Sequence, residues 1–253
     1  MTGKHSGVAK LWLLNLFGNA ALLAACYFWL LLPDARGWQV AGSGVWALIV
    51  IFLGLWLRAA TFAYCRLAEF REHSKLWAAF KRSLHHLIAL AVCLAPLAGM
   101  AWWLFNLRRY TPQFGVWFWQ KFSALRFGSP RGIYHAADWS LLILMAVLIT
   151  LWLPIASTVA AIGFKGPRIG HSLRALTRPG YWAWMIALIL IGGLVPYKLV
   201  YWVPDLSTLK QQAWSAGARF FFAYVVLITA WISLLLVVGE RAEVEDSPPP
   251  NVL

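Results

Sequence analysis

Long apolar stretches separated by short basic or proline-bearing connections set the pattern of this chain, and almost no charge lies inside any of them. A helix that crosses a bilayer needs about 20 mostly apolar residues. Six stretches meet that requirement. They run from about Ala9 to Leu32, Ala41 to Cys65, Leu84 to Asn106, Asp138 to Phe164, Tyr181 to Val203 and Ala216 to Gly239. Pro96, Pro154 and Pro196 fall inside three of them, as do Gly99, Gly192 and Gly193. Such residues are tolerated in spanning helices because neighbouring helices satisfy the freed backbone groups, so each marks a plausible kink. The pattern predicts an all-α fold, a polytopic membrane helical bundle of about six transmembrane helices in a single domain over residues 1–239.

Two connections carry a helical period of their own. Leu76, Phe80, Leu84 and Leu87 recur on one face, with Lys75, Lys81 and Arg82 pointing elsewhere. This suits an amphipathic helix lying in the headgroup layer. Phe114, Phe118, Phe122 and Leu125 repeat the pattern beside Trp117 and Trp119, in a segment too short to span. Two interfacial amphipathic helices are therefore expected. The tail over residues 240–253 changes character: Glu240, Glu243, Glu245 and Asp246 lead into Ser247 and three prolines. A segment of that composition cannot bury apolar surface, so a disordered, acidic, Pro-rich cytoplasmic tail is expected.

Composition agrees with this pattern. The chain is 61% hydrophobic and 12% charged, against about 25% charged for a soluble domain. Its 17 Trp, 15 Phe and 8 Tyr are residues that gather where bilayer meets water. A net charge of +13 would suggest nucleic acid in a soluble protein. Here the cations sit between apolar runs, so anionic lipid headgroups are the expected partner and nucleic acid is not. With both termini placed in the cytoplasm, the inner segments hold more Lys and Arg than the outer ones, although Arg108, Arg109, Lys121, Arg126 and Arg131 oppose the bias. The positive-inside rule therefore favours a multi-pass protein of the cell membrane with both ends cytoplasmic.

Residues 55–82 align without gaps to 151–178. Leu55-Trp56-Leu57 matches Leu151-Trp152-Leu153, Ala60 matches Ala156, Thr61 matches Ser157, and Arg82 matches Arg178. The unit is a span, a basic turn and a returning span, a parallel repeat of 45–106 on 141–202. Both a duplication and chance agreement between apolar segments account for it. A span followed by a basic amphipathic turn bearing Trp77, Phe80, Lys81 and Arg82 and then a returning span resembles a group of bacterial six-span membrane families. Among them is the membrane domain attached to some glycerophosphodiester phosphodiesterases. The resemblance covers about residues 40–200 and implies an architecture. No phosphodiesterase domain accompanies it in this sequence, so it implies no activity.

Candidate chemistry is sparse. Glu69 to His73 lacks the first histidine of a zinc-protease motif, and Gly163 to Gly170 lacks the Gly-Lys-Ser/Thr ending of a phosphate loop. His85, His86 and His171 lie at span ends, where an amphipathic ring is comfortable without a metal or haem. Cys26, Cys65 and Cys93 form no Cys-x-x-Cys pair. Leu23-Ala24-Ala25-Cys26 fits a lipoprotein cleavage box, but the apolar run continues past it to Leu32, against the form of a signal peptide. No metal and no cofactor is expected. Asn15 and Asn19 share a helical face inside the first span, which predicts an interhelical hydrogen bond. Arg58 is the one cation well inside a span. An intramembrane ionisable residue is a functional candidate by default, although two turns from a span end it can also snorkel to water. No carboxylate lies in the middle of a span, which disfavours proton relays and intramembrane aspartyl or metal chemistry.

These features lead to an expectation of a non-catalytic integral membrane protein. It would be an accessory or assembly subunit or a lipid-handling factor, acting through lipids and other membrane proteins. A permease for a small or anionic solute, with Arg58 in a kinked cavity, stays open as an alternative. So does a membrane-embedded lipid-modifying enzyme with Arg108, Arg109, Arg126 and His135 gathered over a headgroup. Arg82 and Arg178 are further candidates for lipid contact on the inner turns.

Overall fold

A computed structural model describes residues 2–32, 36–67, 75–122, 129–164, 173, 175–205 and 207–246. Among these residues there is no strand. Eight α-helices are described: α1 (Thr2–Leu30), α2 (Gly37–Arg66), α3 (Leu76–Leu84), α4 (Leu87–Arg108), α5 (Thr111–Lys121), α6 (Pro130–Ile162), α7 (Pro179–Tyr201) and α8 (Leu209–Asp246). Six of them, α1, α2, α4, α6, α7 and α8, are long and apolar enough to cross a membrane. The protein is a multi-pass, all-helical membrane protein.

Local chemistry accounts for several helix ends. Proline opens α6 and α7 and lies in the first turn of α5. There its missing N–H is no loss and its fixed φ suits the helix. Gly163 ends α6 at φ 71°, a left-handed conformation that costs glycine little. Its N–H still reaches the Val159 carbonyl at 2.8 Å. Several boundaries differ from those expected: α1 begins at Thr2 and α8 at Leu209, each seven residues early, and α2 begins at Gly37, four residues early. Helix α6 begins at Pro130, about two turns before Asp138, because the mixed segment from Arg131 to Ala137 extends a helix that proline has already started. Helix α8 continues through Asp246, past the expected end at Gly239. Glu240, Arg241, Ala242 and Glu243 are good helix formers, and extending an existing helix costs far less than starting one. The rest of the expected disordered tail, 247–253, lies outside the described residues.

The chain divides into two compact units, residues 1–90 with 154–253 and residues 91–153. In the first unit α1 and α2 run antiparallel. Asn15 pairs with Thr61, Asn19 with Arg58, and Trp29 with Ser43. The end of α8 runs alongside that of α2: Phe62 meets the Trp231 ring at 6.0 Å, and Gly239 lies against the Cys65 carbonyl. Helix α8 is antiparallel to α1, with Trp12 bonded to Thr229 and Tyr224 to the Leu16 carbonyl. The start of α1 and the finish of α8 therefore lie at the same end.

Burial in this unit is concentrated at that end. On α1 the buried residues past Gly7 are Leu11, Asn15 and Asn19, and none follows. On α2 burial begins at Leu57 and is nearly continuous to Arg66. On α8 it begins at Ala223 and runs to Gly239. The repeat partner of the α2 segment behaves alike, with Leu153, Pro154 and Ala156–Ala161 buried in α6. In the returning parts, α3 is a nine-residue helix, and the described residues opposite it include the 3-10 turn Ala175–Thr177.

In the second unit α4 and α6 form an antiparallel pair. The Trp152 indole donates to the Cys93 carbonyl at 2.8 Å, and Arg108 binds Asp138 about 22 Å further along α4. Helix α5 carries a ladder of rings, Phe114 to Phe118 at 5.7 Å and Phe118 to Phe122 at 4.6 Å. Gly115 lets α5 approach the first turn of α6, since a Cβ there would meet the Pro130 carbonyl and Tyr134. Leu125, expected on the same face, lies outside the described residues.

Candidate functional site

A polar cluster sits inside the first unit where its packed core ends. It is built on α1, whose Asn15 and Asn19 lie one turn apart on one face. Both amides donate backwards to their own helix, Asn15 to the Leu11 carbonyl at 3.1 Å and Asn19 to the Asn15 carbonyl at 2.6 Å. Asn15 also donates to Thr61 Oγ1 at 3.1 Å. The Thr61 hydroxyl in turn donates to the Leu57 carbonyl at 2.7 Å. The interhelical bond expected of these asparagines is present, and it fixes the register of α1 against α2.

The second asparagine does something further. Its Oδ1 accepts a hydrogen bond of 2.7 Å from Nη2 of Arg58. The same guanidinium lies over the Trp231 ring of α8, 5.4 Å from its centroid. Asn19 is midway along the first span, Gly7–Leu30, about 18 Å of helix rise from Gly7. Arg58 therefore does not snorkel to the nearer water boundary, the alternative open to it in the sequence. It turns sideways and is held between three helices, half-buried.

The electrostatics of this arrangement are one-sided. A guanidinium has five N–H donors and no acceptor. Among the described residues, Asn19 Oδ1 is the acceptor that receives one of them, and no carboxylate pairs with Arg58. The Trp231 indole N–H, also buried, has no hydrogen-bond partner among the described residues. Nearby Tyr224 spends its proton on the Leu16 carbonyl. The site is rich in donors and poor in acceptors, and it carries positive charge inside a span.

The other sequence candidates lie elsewhere. Arg108 and Asp138 form a bidentate pair at 2.6 and 2.8 Å in the second unit. His135 is exposed and its ring lies tilted against that of Tyr134, 4.7 Å between centroids. No hydrogen bond joins it to Asp138 among the described residues. Arg109 is exposed over the Phe105 ring at 6.0 Å. Arg126 lies outside the described residues, and so does His171. Arg82 is exposed on α3, while Arg178 is half-buried at the start of α7. Of these residues, Arg108 is committed to an ion pair with Asp138. Ser157 gives its hydroxyl to the Pro154 carbonyl at 2.8 Å. His85 approaches the Lys81 carbonyl at 3.2 Å, and His86 packs over Gly163. Helix α1 continues without a break through Cys26. Among the described residues no three His, Cys, Asp or Glu side chains converge as metal ligands.

Sequence reading singled out Arg58 and the two asparagines but missed Trp231 and Tyr224. Both are ordinary aromatics of a long span, and nothing in their spacing points to α1 or α2. No family model matches this chain, and neither a curated protein nor a solved structure is found similar to it.

Proposed function

We propose that this protein is a non-catalytic accessory or assembly subunit of a bacterial plasma membrane, joined to another membrane protein by a contact that includes Arg58. The observation that carries the reading is Arg58 itself: a cation tied at mid-span to Asn19, with no carboxylate beside it among the described residues. A charge at that depth is costly, and such residues pair with an opposite charge or mark a pathway. Its position suggests where the opposite charge comes from. Beyond Asn19 on α1 and before Leu57 on α2 the surface is exposed and apolar, as with Leu23, Phe28, Leu48 and Ile51. An apolar helix bearing one carboxylate meets both requirements, covering the flank and neutralising the cation. The excess of Lys and Arg in the turns on the side of the two termini supports a cytoplasmic position for both.

The test uses a synthetic apolar helix of about 20 residues with a single central Glu, labelled for energy transfer to the labelled protein in vesicles. The Glu helix is expected to associate about tenfold more tightly than its Gln counterpart, a difference of about 1.4 kcal/mol. Arg58→Leu abolishes that preference. Equal association of the two helices with the wild-type protein defeats the reading. Arg58-dependent uptake of a small anion by reconstituted vesicles would replace it with the permease.

A further inference from the structure

The first unit holds a second feature with its own chemistry, a groove of about 610 Å³ at the end where α1 begins. Ligand pockets commonly span about 300–1,000 Å³. Lys10 and Leu14 of α1, Trp56 of α2, and Lys75 with Leu76, Trp77, Ala78 and Phe80 at the start of α3 line it. Lys10 and Lys75 are exposed, whereas Leu14, Trp56, Leu76 and Phe80 are half-buried. The groove is thus cationic at its rim and apolar within.

Its walls are held in place. The Trp56 indole donates to the Phe80 carbonyl at 3.0 Å, and the two rings meet edge to face at 5.4 Å. Trp77 stacks on Phe80 at 6.4 Å. Ala79 and Ser83, on the same face of α3 as Leu76, are buried, and Lys81 and Arg82 are exposed on the other side of the helix. From Lys10 to Leu14 is one turn, about 6 Å deeper along a span that begins at Gly7. The charge therefore lies at the level where a span meets water, and the apolar wall continues into the depth of the hydrocarbon.

We infer that this groove is a binding site for an anionic phospholipid, with the phosphate between Lys10 and Lys75 and an acyl chain along Leu14, Trp56 and Phe80. The polarity is that of an amphiphile: cations face the headgroup layer and aromatic and aliphatic side chains face the tail. A soluble anion has no use for the apolar wall. A zwitterionic lipid gains no net attraction from the rim. Cations near anionic lipid attract it enough that two of them predict a preference of about thirtyfold. The inference is independent of Arg58, which does not line the groove.

Native mass spectrometry of the full chain in mild detergent, titrated with phosphatidylglycerol or phosphatidylcholine, tests it. The wild-type protein is expected to retain phosphatidylglycerol with at least a tenfold preference. Lys10→Glu with Lys75→Glu, both exposed, removes that preference and leaves phosphatidylcholine binding unchanged. Leu14→Trp keeps every charge but fills the groove, and weakens phosphatidylglycerol binding by at least tenfold. Arg58→Leu leaves it unaltered, which separates this site from the proposed assembly contact. Three results overturn the proposal. They are equal retention of the two lipids, no effect of Leu14→Trp in a protein that still elutes as a single species, and displacement of the lipid by an equal concentration of glycerol phosphate.

Discussion

The glycines show how much one atom decides in this molecule. A Cβ at Gly239 would be driven into the Cys65 carbonyl, and one at Gly192 would lie 2.8 Å from Ala230 Cβ. Next to it, Gly193 has nothing within 4 Å. Small residues let membrane helices approach closely, so Gly239 sets how near α8 comes to α2. Gly239→Ala is expected to cost about 1–3 kcal/mol by overpacking, since a backbone carbonyl cannot turn aside like a side chain. Gly193→Ala should be neutral or stabilise α7 by about 0.5–1 kcal/mol through the helical preference of alanine. Thermal unfolding of both variants in one detergent checks the contrast, and equal shifts would refute it. In sequence these glycines look alike, because what separates them belongs to the neighbouring helix. Asn15 and Asn19 were legible for the opposite reason. Polar side chains inside an apolar run must find a partner, whichever helix supplies it.

At the scale of elements, hydrophobic periodicity located all six long helices and the two short ones, α3 and α5, but misplaced some ends. The ends depend on local chemistry that apolar runs do not report, such as Pro130 opening α6 and the helix-forming residues that extend α8. The Arg108–Asp138 pair is not legible in the sequence, where Arg108 is open to grouping with Arg109, Arg126 and His135 over a headgroup as one alternative. Antiparallel packing of α4 and α6 brings together residues 30 apart in sequence. The Arg108 side chain is 37% exposed and that of Asp138 16%, so the pair falls between a surface bridge and a buried one. Asp138→Asn is expected to destabilise the second unit by about 1–2 kcal/mol. Arg108→Met combined with Asp138→Leu should recover most of that loss, since removing both partners leaves no charge unpaired. A double-mutant cycle on resistance to proteolysis between α5 and α6 measures it, and additive losses would show that the two side chains do not interact.

For the whole molecule, the packing of α1 against α2 and α8 sets a parity: the start of α1 and the finish of α8 lie on the same side of the first unit. Reporter fusions after Gly239 and within the segment between α1 and α2 test this. A cytoplasmic signal is expected from the first and an external one from the second, and the reverse would invert the proposed orientation. Length and hydropathy by themselves determined the solvent, the number of spans and the absence of a mid-span acid, because hydrocarbon excludes charge and demands helices wherever the chain crosses it. Only the tertiary structure decided that Arg58 turns inward to Asn19 and Trp231 instead of reaching for water, and that Lys10 and Lys75 share the rim of one groove. Those outcomes depend on which helices touch, and contact between helices in lipid is settled by small residues, hydrogen bonds and shape rather than by apolarity, which every span has in common.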